Sequence, residues 1–579
     1  MRLATCRVVS GRVLWAAPLE TLPRFEPPRV SPAASGAARR GGDDAGVVAP
    51  PLEPSFTVRP PALRASLRYV WMDGQRPIGS RRPVTKEYRP WTPDQSLLLP
   101  PSPREWLAEG HLAYFVLDLA RELDIATIED VLQSRDGRGT RPYSPRMMTA
   151  LLLYGYSVGV FSSRKLERAT YDDVAFRVIA GGEHPDFTRI NAFRLEHREA
   201  LAALFGQVLK MCLRAGLSSV GHVSLDGTKI QAHASKHKAM SYGRMKDEEK
   251  RLMAKAEELL FRADEIDAME DERYGVGQKP EDLPEELRRA DTRLQKIREV
   301  KAALEKEAAA TRAAQLRALA AGEERRAVTA TSERHRKQAT ARARREREQA
   351  NQIALPGSDD DDDPPTACAT DLPSHRVPTT TDGKPTDKAQ RNFTDPDSRI
   401  MVRNGTFLQA YNAQAAVSDA HLIVAHGVSN QPPDQEHLVP MLERVKENCG
   451  ETARTFSADS GYFSADNIDY CETVGIDAHI AIGRDRDSAD IGKLPMTAAG
   501  DARARMHEKL TTPAGKATYA KRKTLAEPVF GCIKAAVGFR RFSLRGLEKV
   551  RAEWAIVCTC HNLLKLFRSL RPLSLAALA

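Results

Sequence analysis

Three carboxylates stand where short apolar runs meet turn or helix signals. In Val223-Ser-Leu-Asp-Gly-Thr-Lys229, Asp226 follows β-branched and apolar residues at the point where a buried strand meets an Asp-Gly turn signal. Thr455-Phe-Ser-Ala-Asp-Ser-Gly-Tyr-Phe463 sets Asp459 behind a second such run, and Ala526-Glu-Pro-Val-Phe-Gly531 puts Glu527 at the opening of an apolar-periodic segment. One acid makes no site. Three brought together by folding can hold two divalent cations, because hard oxygen ligands select hard ions. Lys534 follows Glu527 by seven positions and would share its helix face, with Phe530, Ile533 and Val537 as the adjoining apolar stripe. Pro528 suits a first helical turn and is costly inside a helix, so the spacing predicts Glu527 at a helix start or a kink.

Strands and helices must carry these acids to one place. Residues 409–417 and 422–428 predict neighbouring strands around a Ser-Asp turn, 435–448 an amphipathic helix, and 454–458 a strand ending at Asp459. A helix over 465–474 and a fifth strand over 477–482 follow. Strand, long insertion, two strands, helix, strand, helix, strand and a last helix is the order of a ribonuclease H-like α/β domain. That order puts the first acid mid-sheet on strand one, the second at the end of strand four and the third on the last helix. The expected catalytic domain covers 217–570 and is interrupted twice, by a helical insertion at 240–352 and an acidic flexible linker at 353–392. A tail follows at 571–579.

The insertion is dominated by Ala, Glu, Lys, Arg and Leu, with a break at Tyr274-Gly-Val-Gly-Gln-Lys-Pro280, and predicts two long helices joined by a turn. Leu287, Leu294, Ile297 and Leu304 stand at heptad-like positions, but the register decays beyond Ala308, which favours a hairpin over a long dimeric coiled coil. Nine arginines and lysines between Arg325 and Arg347 could track phosphates or simply form a solvated face. Asp359 to Asp363 is a like-charge run expected in a disordered linker, because tandem acids on a flexible chain are not preorganised for metal.

Ahead of the sheet, 1–90 is rich in Pro, Ala, Gly and Arg without sustained periodicity and is expected to be disordered. It has no hydrophobic core with a cleavage site, so it reads as an extension without a folded role or as an upstream start. Residues 91–216 predict an all-α DNA-binding domain. Ser144-Pro145 opens one helix, Ser162-Ser163 a second running to about Ile179, and Asp186 a third reaching to Leu213. Arg164, Lys165, Arg189 and Arg194, near helix starts, suit a helix-turn-helix element on DNA; an ordinary bundle with a charged exterior has the same pattern.

A chain of 579 residues predicts several domains, and its net charge of +10 favours a polyanionic partner, although a basic solvated surface has the same balance. The eight cysteines are scattered, which fits a reducing cytoplasm. Cys558-Thr-Cys560-His561 lacks a second pair of ligands at zinc-finger spacing, and His233 and His237 read as solvated histidines beside basic loops. No stretch approaches the roughly 20 apolar residues that cross a bilayer.

Leu225-Asp-Gly-Thr-Lys229, Asn412-Ala-Gln-Ala-Ala-Val417, Ser457-Ala-Asp-Ser-Gly-Tyr-Phe463 and Glu527-Pro-Val-Phe-Gly-Cys-Ile-Lys534 form an ordered series, continued by Gly538-Phe-Arg-Arg-Phe542 and 554–564. Over roughly 90–570 it resembles bacterial insertion-sequence transposases of the DDE type. The resemblance implies that Asp226, Asp459 and Glu527 are the catalytic and metal-binding acids. In the related Tyr-Arg-Glu-Lys signature, Glu527 and Lys534 keep their spacing, while Tyr519 lies one residue further upstream than the signature asks. Either Arg522 or Lys523 serves as the basic member, and Lys523 stands at the spacing given to the signature Arg. The resemblance further implies two Mg²⁺ ions, with Mn²⁺ able to substitute, and double-stranded DNA as partner. It implies cleavage at terminal inverted repeats followed by attack of the freed 3′-hydroxyls on target DNA. Lys534 is then assigned to a phosphate near the cut, and Arg540, Arg541, Arg545, Lys549 and Arg551 to the DNA backbone. A homodimer on DNA is expected because two ends must be joined, with a cytoplasmic, nucleoid-associated location. A DNA-binding derivative without chemistry and a metal-dependent nuclease without strand transfer are the alternative readings.

Overall fold

In the computed structural model of the chain, residues 105–133, 141–218, 220–274, 285–353, 370–403, 405–483 and 498–570 are described. The expected N-terminal extension 1–90, the break 275–280, the Asp359–Asp363 run and the tail 571–579 lie outside the described residues, as does the side chain of Leu287.

Among the described residues seven helices precede the sheet: α1 (Leu112–Glu122), α2 (Ala126–Gln133), α3 (Pro145–Ser157), α4 (Ser163–Asp172), α5 (Val174–Ala180), α6 (Phe187–Glu196) and α7 (Arg198–Arg214). Pro145 takes the first position of α3, as its fixed φ and missing N–H allow. The expected 162–179 helix is divided at Asp173, whose carboxylate accepts from the amides of Ala175 and Phe176 and so starts a new helix. The expected 186–213 helix divides likewise at His197.

The sheet consists of β1 (His222–Gln231), β4 (Arg399–Arg403), β5 (Thr406–Ser418), β6 (Ile423–Ser429), β7 (Thr455–Ala458) and β8 (Asp477–Ile480), while β2 (Ala239–Ser241) pairs with β3 (Gln390–Asn392) in a separate ribbon. β5 pairs antiparallel with β1 along one edge and with both β4 and β6 along the other; β7 lies parallel to β1, and β8 parallel to β7. The order β6-β5-β1-β7-β8 is that of the expected ribonuclease H-like sheet, and β4 is an addition that the sequence pattern did not separate from the segment before it.

The insertion leaves through β2 and returns through β3, and its described residues hold three helices where two were expected: α8 (Tyr242–Tyr274), α9 (Glu285–Thr329) and α10 (Glu333–Ile353). The chain turns at 330–332, and α10 folds back on α9 through a small-residue seam in which Ala339, Ala343 and Ala350 are buried. Leu294 and Ile297 face α8, whereas Leu304 joins Tyr242, Val377 and Ala389 at the insertion's base. Glu307 of α9 accepts from Arg391 at 2.6 Å and Arg399 at 2.9 Å, fastening the insertion to β3 and β4. The later half of the supposed flexible linker is built into the fold, because Leu372 and Val377 are buried and β3 closes the ribbon.

After β6 come α11 (Leu438–Cys449), α12 (Ala465–Thr473), α13 (Ala498–Thr511), α14 (Pro513–Gly531) and α15 (Leu547–Ser569). The third acid is therefore on the penultimate helix. α15 runs beside β6, where the Asn562 amide closes both backbone polar groups of Ile423 and so covers the sheet's edge. On its other side α15 meets α3 and α7. Tyr156 donates to Glu553 at 3.0 Å, and Cys212 and Cys560 donate to the carbonyls of Asn562 and Leu153. One hydrophobic core consequently runs from Ala113 through the sheet to Leu570. The leading helices share that core and do not form a module with a core of its own.

This arrangement overturns one expected DNA contact. Arg194 is buried, its guanidinium donating to the Tyr156 hydroxyl at 2.9 Å, the Phe161 carbonyl at 3.2 Å and Asn191 at 3.0 Å. It completes a charge-assisted network with Glu553 and is unavailable to a phosphate. Arg164, Lys165 and Arg189 are exposed.

Candidate active site

Strand register brings the two aspartates level. β1 and β7 pair in parallel up to Ser224 opposite Ser457, and Asp226 and Asp459 each follow that last pair by two residues at the same end of the ladder, near enough for the Asp459 charge to act on the Asp226 carboxyl. β7 stops at Ala458, and Asp459 caps the turn that follows by accepting from the Gly461 amide at 2.9 Å. Asp226 lies within β1, opposite Ala415 of β5, and its own carboxylate accepts from the Gly227 amide at 2.9 Å.

Helix α14 crosses the face of β1 that carries Asp226 and Thr228. Arg522 of α14 lies 3.8 Å from the Asp226 carboxylate and 3.8 Å from that of Glu527, so the first and third acids meet through a guanidinium. Lys534 lies past the end of α14 in a π-helical turn, Cys532–Ala536, and donates to the Thr228 hydroxyl. Lys534 reaches β1 directly and Glu527 only by way of Arg522, with a π-helical turn between them in place of one continuous helix face, and Phe530 and Ile533 are buried. Glu527 is not at a helix start. α14 begins at Pro513 and carries Pro528 in its interior, where the missing N–H removes a helical bond just before the π-helical turn.

Burial pushes the Asp226 carboxyl up to about 6; Arg522 opposes that, while Asp459 and a further acid, Asp434, reinforce it. Burial, with Arg403 nearby, holds the Lys534 ammonium below its usual range. Both shifts follow chiefly from burial, which disfavours the charged form of each group. The donor set fits a hard divalent cation: Asp226, Asp459 and Glu527 offer only carboxylate oxygens. Among the described residues no three acidic, imidazole or thiol groups stand together at metal-ligand distance, and Arg522 occupies the space between two of the acids.

Of the two basic candidates, Arg522 faces the acids, whereas Lys523 is exposed. Tyr519 is half-buried one turn earlier on α14. Arg540 and Arg541 are exposed beyond Lys534, with Arg540 donating to the Lys534 carbonyl at 2.9 Å. Arg545 donates to the His233 carbonyl and Lys549 is exposed, but Arg551 turns inward to the Val428 carbonyl. His237 is exposed and Cys558 and Cys560 are buried in α15. A groove of about 1090 Å³ between His237–Met240 and α9 includes none of the three acids in its lining, which mixes Lys238, Arg293 and Lys296 with apolar residues such as Ile297 and Phe393.

Sequence reasoning missed Asp434, which follows β6 and is held by Lys229, Asn412 and Gln414. A signal was present. Asn412 and Gln414 are polar residues at alternate positions in a run, 412–417, otherwise made of Ala and Val, and so share one face.

A mixed sheet of this order, with one aspartate on a central strand, a second just past the end of the parallel strand beside it and a glutamate on a crossing helix, defines a ribonuclease H-like polynucleotidyl transferase fold. Comparison with known families agrees: 367–563 match the Transposase DDE domain and 102–196 the Transposase domain (DUF772). The chain belongs to the DDE transposases of insertion sequences, enzymes that cut and transfer polynucleotide strands. Asp459, Glu527 and Lys534 fall inside the first match; Asp226 falls between the two and enters the site through strand pairing. Neither the curated proteins nor the solved structures compared with the chain gave a match. Among the described residues no helix is long and apolar enough to cross a membrane.

Proposed function

We propose that this transposase binds the terminal inverted repeats of its element, cleaves at the element ends and joins the freed 3′-hydroxyls to target DNA at the site of Asp226, Asp459 and Glu527. The observation that carries this reading is that Asp226 on β1 and Asp459 just past the end of β7 each follow the last β1–β7 pair by two residues, with Glu527 brought to Asp226 through Arg522. These three residues would hold two divalent cations, Mg²⁺ or Mn²⁺, which when bound supply Lewis-acid activation of the attacking oxygen and stabilisation of the leaving one.

The chain's own residues bind and orient. Lys534, fixed against Thr228, presents an ammonium to a phosphate beside the cut. Arg522 releases its long contacts and neutralises charge building up on the phosphate, as a guanidinium can by donating along two directions. Arg540 and Arg541, with Arg164, Lys165 and Arg189 on the leading helices, meet the DNA backbone; Tyr519 packs alongside. Hydrolysis replaces one P–O3′ bond by a bond to a water oxygen. In strand transfer the freed 3′-oxygen forms a bond to a target phosphorus as that phosphorus loses its own 3′-oxygen, so the number of phosphodiesters is conserved. Two ends must be joined together, which calls for a homodimer on DNA.

The test is an in vitro reaction of the purified full chain with Mg²⁺ and labelled DNA carrying the element's inverted repeats. Nicked ends followed by joined product are expected, and Asp226→Ala should bind the ends without cutting them. Normal cutting by that variant removes Asp226 from the site. Cutting without joining supports a nuclease, and repeat binding with no cutting by the wild type supports a silent derivative.

A further inference from the structure

The sheet presents different chemistry on its two faces beside Asp226. Asp226 and Thr228 face α14. Strand alternation turns Gly227 and Lys229 to the opposite face, and because β1 pairs with β5 as Gly227 opposite Gln414 and Lys229 opposite Asn412, all four share it.

Asp434 enters that opposite face from the connection after β6. Its Oδ1 accepts from Asn412 Nδ2 at 2.6 Å, Gln414 Nε2 at 2.8 Å and Lys229 Nζ at 3.1 Å, and its Oδ2 accepts from Lys229 at 3.3 Å. Asn412 also donates to the Gln431 carbonyl at 3.1 Å, and Gln414 to Asn412 Oδ1 at 3.0 Å. The chain of bonds ends at Tyr462, whose hydroxyl donates to Gln414 Oε1. Tyr462 is fully buried and lies three residues after Asp459. One knot therefore joins the strand of Asp226 to the turn of Asp459.

The knot presses on the glycines beside both acids. A Cβ on Gly227 would stand 2.5 Å from Gln414 Nε2, 2.9 Å from Asp434 Oδ1 and 3.1 Å from Tyr462 Oη. A Cβ on Gly461 would stand 3.0 Å from Asp459 Oδ1 and 3.6 Å from Asp434 Oδ2. Gly227 in turn supplies the amide that holds the Asp226 carboxylate. Lys229 and Asp434 are only 17% and 21% exposed, so this is not a loosely held surface pair.

We infer that Asp434 is a positioning residue for phosphoryl transfer: through Lys229, Asn412, Gln414 and Tyr462 it sets the spacing and orientation of Asp226 and Asp459 without touching the reacting atoms. The inference rests on the transposition reading. An amide nitrogen in place of Oδ2 would lose the second bond from Lys229, set a donor against its ammonium and leave that buried charge without its counter-ion. Groups that orient metal-binding or catalytic side chains in this way act on rate through geometry, where a shift of about 1 Å costs on the order of 10²-fold.

The experiment uses the full chain with Asp434→Asn, Lys229→Gln, the double variant and Asp226→Asn. Manganese affinity is read without DNA by electron paramagnetic resonance; end cleavage is read separately, and folding by near-ultraviolet circular dichroism. Asp434→Asn should keep its folded spectrum and its KM for end DNA, lose roughly tenfold in Mn²⁺ affinity and lose about 10²-fold in kcat. Lys229→Gln should behave alike, and the double variant should be no worse than either single one, because both break one network. Wild-type affinity and kcat in a folded Asp434→Asn would overturn the inference. Loss of Mn²⁺ binding as complete as in Asp226→Asn would overturn it too, by making Asp434 a ligand. Should Asp434→Asn fail to fold, Lys229→Gln decides by the same readouts. A wild-type chain that neither binds Mn²⁺ nor cuts would overturn the transposition reading along with it, a result distinct from the others.

Discussion

The guanidinium of Arg522 lies 3.8 Å from the carboxylate of Asp226, a cation on a crossing helix facing an acid on the central strand. At that separation the attraction is Coulombic and not a hydrogen bond, so the guanidinium neutralises part of the site's charge while staying free to turn toward a phosphate.

Arg522→Gln should therefore lower end cleavage by about 10²-fold, in the range found for loss of one donor aimed at transition-state charge. Lys523→Gln, exposed on the same helix, should stay within about threefold, because an exposed screened charge contributes little. Parallel cleavage assays of the two variants check this. A larger loss for Lys523→Gln would transfer the basic role to it.

Asp226 makes stability depend on pH in protein kept free of divalent ions. Its folded carboxyl is raised from an ordinary 3.8 to about 6, chiefly by burial. The folded state thus holds the proton more tightly than the unfolded chain. Its stabilising contribution is complete below pH 3.8 and is lost as pH rises through 6, amounting to at most about 3 kcal/mol. Asp226→Asn should match the wild type near pH 4, exceed it in stability near pH 8 and cut no DNA. Thermal melts in chelator across that range measure the slope, and equal slopes in both proteins would contradict the assignment.

Gly227→Ala should be costly although the glycine has no left-handed backbone. The new methyl would meet Gln414 Nε2 at 2.5 Å and Asp434 Oδ1 at 2.9 Å, an overpacking expected to destabilise by roughly 1–3 kcal/mol. Cleavage should fall more steeply than stability, because the displaced groups hold the strand of Asp226. Urea denaturation and a cleavage assay on one preparation separate the two effects.

Arg194 and its exposed neighbours should divide by assay. Arg194→Met breaks a buried network that includes Tyr156 and Glu553, and leaves Glu553 short of charge compensation at no solvent exposure. Removing one partner of a buried pair typically costs about 3–5 kcal/mol. Arg164→Gln, Lys165→Gln and Arg189→Gln should leave unfolding nearly unchanged and weaken DNA binding instead, with a shallower salt dependence. Chemical denaturation and salt-dependent binding to end DNA distinguish the two classes.

The strand carrying Asp226, the strand that ends just before Asp459 and the order of elements in the sheet were legible in the residues themselves. Strand and helix periods are local, and an acid at the end of an apolar run declares itself within a few positions. The insertion's third helix was not legible, because Ala-rich sequence is helical on either side of a turn that carries no Gly or Pro. Arg194 looked like Arg164, since burial of a charge depends on partners as distant as Glu553. Spacing favoured Lys523 over Arg522, and the direction in which α14 crosses β1 brought Arg522 to the acids. Asp434 stood in a connecting segment without a motif of its own, yet folding surrounds it with Lys229, Asn412 and Gln414. Sequence by itself thus determined which chemical groups were available and the elements that bear them. Tertiary structure decided which of those groups meet, because hydrogen bonding and desolvation act between residues that only packing brings together.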